Sequence, residues 1–177
     1  VLENSDGMFS TKVLTTHDAP ERGVLDGIRQ VVDEAHADLA GLTSFIHGTT
    51  LATNALINRT GARTAFVTTA GFRDVVEMRT ESRFEQYDLN LVLPTPLIER
   101  RDRHVLDERI AADGTVLRSF DEAEALALAR HLAEGTDEGP YEAVAVGFMH
   151  AYRNGDHERR IREVLAGHLP GASISIS

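Results

Sequence analysis

Residues 142–149 read EAVAVGFM, a nearly unbroken run of small and β-branched apolar side chains. Such a run reads as a strand buried on both faces, which is how a strand of a parallel sheet looks in sequence. The segments on either side carry helical patterns. Asp121 caps a helix rich in Ala and Leu that ends at Gly135, and Asp156 to His168 forms another that stops at Pro170-Gly171. A strand-like tail, Ala172 to Ser177, follows.

The alternation continues upstream. Arg63 to Thr69 (RTAFVTT) is a strand, and Gly71-Phe72-Arg73-Asp74-Val75-Val76-Glu77 starts a short helix. Residues 79–100, with Pro94 and Pro96, form a long irregular excursion. Arg103 to Ile110 and Thr115 to Phe120 flank Asp113-Gly114 and read as a hairpin. Before these lie a short strand, Thr43 to Ile46, and a helix from about Leu51 to Arg59 with Gly61 at its C′ position.

Nearer the start, Asp18-Ala19-Pro20-Glu21 opens a helix, with Asp18 as N-cap and Glu21 completing a capping box. Val24, Ile28, Val31, Val32, Ala35 and Leu39 follow at helical spacing. Val1 to Glu3 and Met8 to Leu14 pair around the turn signal Asp6-Gly7. The pattern as a whole is an α/β fold with a mixed, mainly parallel sheet, flanking helices and hairpin insertions.

A chain of 177 residues holds one ordinary domain or two small lobes. Hydrophobic content of 42% with 26% charged residues belongs to a globular protein. The net charge of −10 argues against nucleic acid or an anionic membrane as partner. Without cysteine there is no disulfide, thiolate chemistry or Cys-ligated zinc. No apolar run approaches the roughly 18–20 residues that span a bilayer, and no signal-peptide pattern opens the chain, so a cytoplasmic protein is expected.

Three polar clusters fall at expected strand ends, where open α/β sheets bind ligands. The first is His47-Gly48-Thr49-Thr50-Leu51-Ala52-Thr53-Asn54. Gly48 admits close backbone approach, the helix start offers N–H groups and a positive dipole end, and the hydroxyls add donors, a combination suited to phosphate or carboxylate. The second is Thr68-Thr69-Ala70-Gly71-Phe72-Arg73-Asp74, where Arg73 can take an anion bidentately. The third runs from His150 to Glu158, with imidazole and carboxylate groups for acid–base or metal chemistry.

Each cluster has a plainer explanation. Thr and Asn at a helix start serve as caps, Arg73 and Asp74 as a surface pair, and Asp156, His157 and Glu158 as first-turn capping groups. Glu99 to Arg103 reads as a solvated strand edge. Walker A, G-x-G-x-x-G, G-x-S-x-G and H-E-x-x-H motifs are all absent. The residues themselves reach an α/β domain with an anion-friendly cleft.

HGTTLATNAL, ARTAFVTTAGFRDVVEM, YDL, PTPLIERRDRHVLDERI and AYRNGDHERR, in that order, resemble the N-terminal region of the hydantoinase A / 5-oxoprolinase family. The resemblance runs from Thr11 to the last strand. It implies a ribonuclease-H-like lobe of actin-like ATPase architecture and an ATP-dependent hydrolase of cyclic amides, using Mg²⁺ and activating the amide oxygen by phosphorylation. A hydantoinase B-type subunit or domain is the implied partner.

On that resemblance His47, Thr49, Thr50 and Arg73 are the candidate catalytic residues. Gly48, Thr53, Asn54, Thr68, Thr69 and Gly71 are the candidate phosphate- or substrate-binding ones, and metal ligands are unassigned. The alternatives are an ATP-dependent ketone carboxylase subunit and a non-catalytic assembly domain. The family's glycine-rich D-x-G-G-T hairpin is expected before Val1 and a second lobe after Ser177, which makes residues 1–177 a segment of a longer protein.

Overall fold

The computed structural model describes residues 1–16, 18–79 and 87–177. The chain divides into two compact units, Val1–Thr49 and Thr50–Ser177.

In the first unit β1 (Leu2–Asn4) and β2 (Gly7–Phe9) pair antiparallel, with Leu2 opposite Phe9. The turn forms where Asp6-Gly7 predicts it: Asn4 Oδ1 accepts from both amides, and Gly7 takes φ +142°. The second arm ends at Phe9 rather than Leu14. Helix α1 (Pro20–Glu34) buries Val31 and Val32 with Leu2 and Ala35. Its start differs from the expected capping box. The N-cap is Ala19, and Thr16 supplies the cap: its hydroxyl accepts from Gly23 N at 3.1 Å and donates to Ala19 O at 2.5 Å. Thr43 to Ile46 forms no strand, because no ladder among the described residues takes up its backbone groups.

The second unit begins with α2 (Leu51–Asn58), which buries none of its residues. Arg59, in the left-handed region at φ 52°, closes it two residues before the expected Gly61. Four parallel strands follow: β3 (Thr64–Thr69), β4 (Arg103–Leu106), β7 (Ala143–Gly147) and β8 (Ser173–Ile176), in the order β4-β3-β7-β8. Short α3 (Val75–Met78) leads out of β3. The expected irregular excursion lies partly outside the described residues, at 80–86; residues 87–99 hold no helix or strand.

The second hairpin forms only from its inner parts, β5 (Arg109–Ile110) and β6 (Val116–Arg118). Its outer part is β4, which joins the main sheet instead, with Thr69 opposite Leu106. Helices α4 (Glu122–Glu134) and α5 (Asp156–His168) pack on each other, α4 against β4 and α5 against β7 and β8. Asp121 caps α4 through Ala123 N at 2.8 Å, as its position predicts.

The core gathers Val67, Leu106, Val144, Val146, Ile161 and Leu165, with Ala125 and Ala129 letting α4 approach closely. Strand β7 alternates rather than being buried throughout: Val144 and Val146 are buried, while Ala143, Ala145 and Gly147 are half-buried. Glu99 to Arg103 is a solvated edge only in part: β4 is the outer strand, and Glu99, Arg100 and Arg101 are exposed. Asp102 and Arg103 are buried; Arg103 donates to Ile98 O at 3.0 Å and Glu77 at 3.1 Å, and Asp102 accepts from Tyr141. A buried ion needs such partners to offset its lost hydration.

Candidate functional site

Strands β3 and β7 lie side by side, and the chain leaves their carboxyl ends in opposite directions. From β3 it turns at 70–74 and returns as β4 on one side; from β7 it turns at 148–155 and returns through α5 as β8 on the other. In a parallel sheet this reversal opens a crevice beyond the strand ends, and such crevices bind ligands.

The wall at β3 begins with two threonines. Thr68 Oγ1 donates to Gly147 O at 2.8 Å. Thr69 Oγ1 donates to Glu108 Oε1 and accepts from Met149 N at 3.0 Å. Both residues are buried, so their hydroxyls are committed inside the protein and their contribution is the placement of the turns. Phe72 N closes the turn on Thr69 O at 3.0 Å, with Gly71 at φ +88°, a value that favours glycine. Arg109 lies over the Phe72 ring at 4.6 Å. Arg73 reaches Asp74 only at 4.0 Å, because Arg100 already holds Asp74 through 2.8 and 3.1 Å hydrogen bonds. That hydrogen bonding keeps the Asp74 carboxyl below the usual carboxylate range. Arg73 is thereby left as a loosely paired, partly exposed cation beside the crevice.

The wall at β7 is pinned by two buried carboxylates. Glu158 Oε1 accepts from Phe148 N at 2.8 Å, and the same carboxylate takes Ser177 N at 3.0 Å and Ser177 Oγ at 2.9 Å. Glu108 joins Thr69 on one oxygen and His157 Nδ1 at 2.7 Å on the other. Glu108 and Glu158 are each 1% exposed and His157 5%; His157 and Glu158 lie in the first turn of α5, but are buried against partners elsewhere rather than acting as its capping groups. Asp156 does stay at that start, paired with Arg159. Beside the start of α5 a groove of about 580 Å³ is lined by Asp113, Gly114, Arg153, Asn154 and Arg159.

The expected site residues are divided. Thr68, Thr69, Gly71 and Arg73 share the end of β3. The run from His47 to Asn54 spans the boundary between the units: His47, Gly48 and Thr49 close the first, whereas Thr50, Thr53 and Asn54 open the second. All of these run residues are exposed, and a side chain added at Gly48 would meet open space. Thr50 is the N-cap of α2, and its hydroxyl accepts from Asn54 Nδ2 at 3.4 Å. No carboxylate falls within residues 47–54. Among the described residues no group of three or more His, Asp or Glu is placed to hold a metal ion.

Glu108 is the residue that spacing alone overlooked. Its signal is parity: Leu106, Glu108 and Ile110 alternate along one line, and all three are buried.

Known proteins are similar to this chain in sequence and fold. The caprolactamase of Pseudomonas jessenii has an alpha subunit 30% identical over 190 residues, 97% of this chain and 27% of that one. A solved structure of the ATP-dependent enzyme matches at TM-score 0.71 and 27% identity, covering 94% of this chain and 24% of that chain. The 5-oxoprolinase 1 of Arabidopsis thaliana is 31% identical over 204 residues, 98% of this chain and 15% of that one. A nucleotide-free acetone carboxylase shares the fold at TM-score 0.76 and 21% identity, over 92% of this chain and 24% of that one. The chain spans 27% of the length of the caprolactamase subunit and 15% of that of the 5-oxoprolinase. The model of the hydantoinase/oxoprolinase N-terminal region matches residues 1–169, and the chain belongs to that family.

Proposed function

We propose that this chain is the N-terminal part of an ATP-dependent hydrolase of cyclic amides, of hydantoinase or 5-oxoprolinase type. The observation that carries the reading is the family match over residues 1–169, with a caprolactamase and a 5-oxoprolinase among its relatives. An unstrained ring amide opens slowly in neutral water. ATP supplies a phosphoryl group that converts the amide oxygen into a leaving group, and such transfer depends on positioning and charge stabilisation rather than on a protein nucleophile.

In this reading the lobe is of the ribonuclease-H-like, actin-like ATPase kind. His47, Gly48, Thr49, Thr50, Thr53 and Asn54 offer neutral donors to phosphate or substrate. Arg73, loosely held by Asp74, neutralises developing charge beside the turn that Thr68, Thr69 and Gly71 build. With no metal-ligating group among the described residues, a Mg²⁺ ion would be held mainly through ATP phosphates and its own retained waters. The caprolactamase relative is named as an alpha subunit, which supports a second subunit here; the family resemblance implies that it is of the hydantoinase B type. No helix among the described residues is long and apolar enough to cross a membrane.

The test is ADP release by the full-length protein with its partner subunit. Dependence on a hydantoin, 5-oxoproline or a lactam supports the reading. Dependence on bicarbonate plus a ketone assigns the protein to the ketone carboxylases instead, and no turnover with either leaves an assembly role.

A further inference from the structure

Asn154-Gly155 is the one Asn-Gly step in the chain. An asparagine followed by glycine readily loses its side-chain amide, because no side chain on the glycine hinders attack by the backbone nitrogen. In an unconstrained chain the Gly155 nitrogen bonds to Asn154 Cγ and the Cγ–Nδ2 bond breaks. Ammonia leaves with the proton that the Gly155 amide gives up. Water then opens the succinimide ring at either carbonyl, leaving aspartate or isoaspartate.

In the folded protein both side-chain atoms that have to move are held. Asn154 Nδ2 donates to Gly114 O at 3.1 Å, and Oδ1 accepts from Asp156 N at 3.1 Å. The first bond reaches the turn between β5 and β6, and the second belongs to the start of α5. Because Nδ2 is the leaving group, its bond to Gly114 breaks before ammonia departs. Asn154 is half-buried and lines the groove of about 580 Å³ with Asp113, Gly114 and Asp156, so water has access to it.

The same bond fastens the turn. With Arg153, whose Nε donates to Ala112 O at 3.3 Å, Asn154 ties the β5–β6 turn to the loop that leads into α5. Deamidation replaces the donor by a carboxylate, which only accepts, opposite the Gly114 carbonyl and beside Asp113 and Asp156. Isoaspartate also inserts a methylene group into the backbone just before Gly155, the N-cap of α5. We propose that Asn154 is a deamidation site gated by its hydrogen bond to the β5–β6 turn, and that deamidation releases this turn irreversibly. The site does not depend on the ring-amide reading above.

The experiment incubates the full-length protein at pH 8, folded and in concentrated guanidinium chloride. The tryptic peptide of residues 154–159 is followed by mass and by isoaspartate content. The folded protein reacts about tenfold more slowly, the size of two modest hydrogen bonds. Gly114→Ala strains the turn, because position 114 takes φ +92°, and it raises the folded rate towards the unfolded one.

Asn154→Asp reproduces one product. In it the amides of Ala111 and Gly114, bonded within the turn at 2.8 and 2.9 Å, exchange hydrogen faster while those of β3 and β7 do not change. Should Gly114→Ala fail to fold, the folded-to-unfolded ratio and Asn154→Asp decide. Equal rates in the folded and unfolded protein overturn the gating. Unchanged exchange at the turn in Asn154→Asp overturns the release, and no isoaspartate at position 154 even in the unfolded chain removes the site.

Discussion

Tyr141 donates its phenolic hydrogen to Asp102 across 2.7 Å, in the buried layer where β7 begins. Arg63 completes the arrangement, 3.4 Å from the same carboxylate oxygen and over the tyrosine ring at 5.0 Å. Burial, then the hydrogen bond to Asp102, pushes the phenol up to about 12. The unfolded chain loses this proton near its ordinary value of 10, before the folded protein does. Stability from this residue is therefore complete below pH 10 and is lost as the pH rises towards 12. Tyr141→Phe removes the donor, leaves Asp102 short of a partner and costs about 1–3 kcal/mol near neutrality. Urea unfolding at pH 7 and pH 11 checks both points, and equal alkaline sensitivity in the two proteins rejects the second.

His104 works in the opposite direction on the pH scale. Burial first, and then the neighbouring His131 ring at 5.5 Å, hold its imidazole below the usual histidine value; Arg73 adds to this and Asp102 opposes it. Its Nε2 is buried without a hydrogen-bond partner among the described residues. The unfolded chain binds the proton first as pH falls, so this contribution is present above the unfolded value of 6.5 and is lost below it. His104→Phe keeps a ring beside Tyr141 and flattens the loss of stability between pH 7.5 and pH 5. Chemical denaturation at those two pH values measures it; an equal drop in both proteins is the contrary result.

Asp121 and Leu106 separate two kinds of contribution in the second unit. Asp121 caps α4 at 2.8 Å from Ala123 N in an exposed position, so Asp121→Ala costs about 1 kcal/mol. Leu106 is fully buried at the end of β4, opposite Thr69. Leu106→Ala costs about 2–5 kcal/mol, depending on how far the core closes over the cavity. Thermal unfolding of the two variants orders them, and a larger loss from the cap than from the core contradicts this account.

The parts legible in the sequence were those fixed locally. Helix α5 lies at Asp156–His168 as its pattern states, Asp121 caps α4, and Asn4 with Asp6-Gly7 makes the first turn. What depended on distant partners was not legible. Arg103 to Ile110 reads as one arm of a hairpin, yet its first half finds β3 and only its last two residues find β6. Thr43 to Ile46 has the composition of a strand and finds no strand partner among the described residues. Capping residues were hidden for the same reason, Thr16 replacing Asp18 because the chain folds back across the helix start. At the crevice, Gly71 and Arg73 stand where strand–turn–helix spacing put them. The Glu108–His157 pair joins residues 49 positions apart, and only the parity of Glu108 with Leu106 and Ile110 hinted at it.

Thr49 and Thr50 give the sharpest separation of fold from function. Both are exposed, and Thr50 makes no side-chain cap to α2, its hydroxyl accepting only from Asn54 Nδ2 at 3.4 Å. Valine matches threonine in shape and branching while replacing the hydroxyl by a methyl group. The double change Thr49→Val and Thr50→Val leaves the unfolding free energy of the full-length protein within about 0.5 kcal/mol of the parent, as for surface positions generally. If the two hydroxyls meet the transferred phosphate or the substrate, turnover falls on the order of 100-fold, because donors aimed at developing charge act mainly in the transition state. Steady-state ADP release and a melting curve on the same preparation distinguish the cases. Unchanged kinetics with an unchanged melt removes Thr49 and Thr50 from the site. A lowered melt with proportionately lowered activity assigns them to the fold instead.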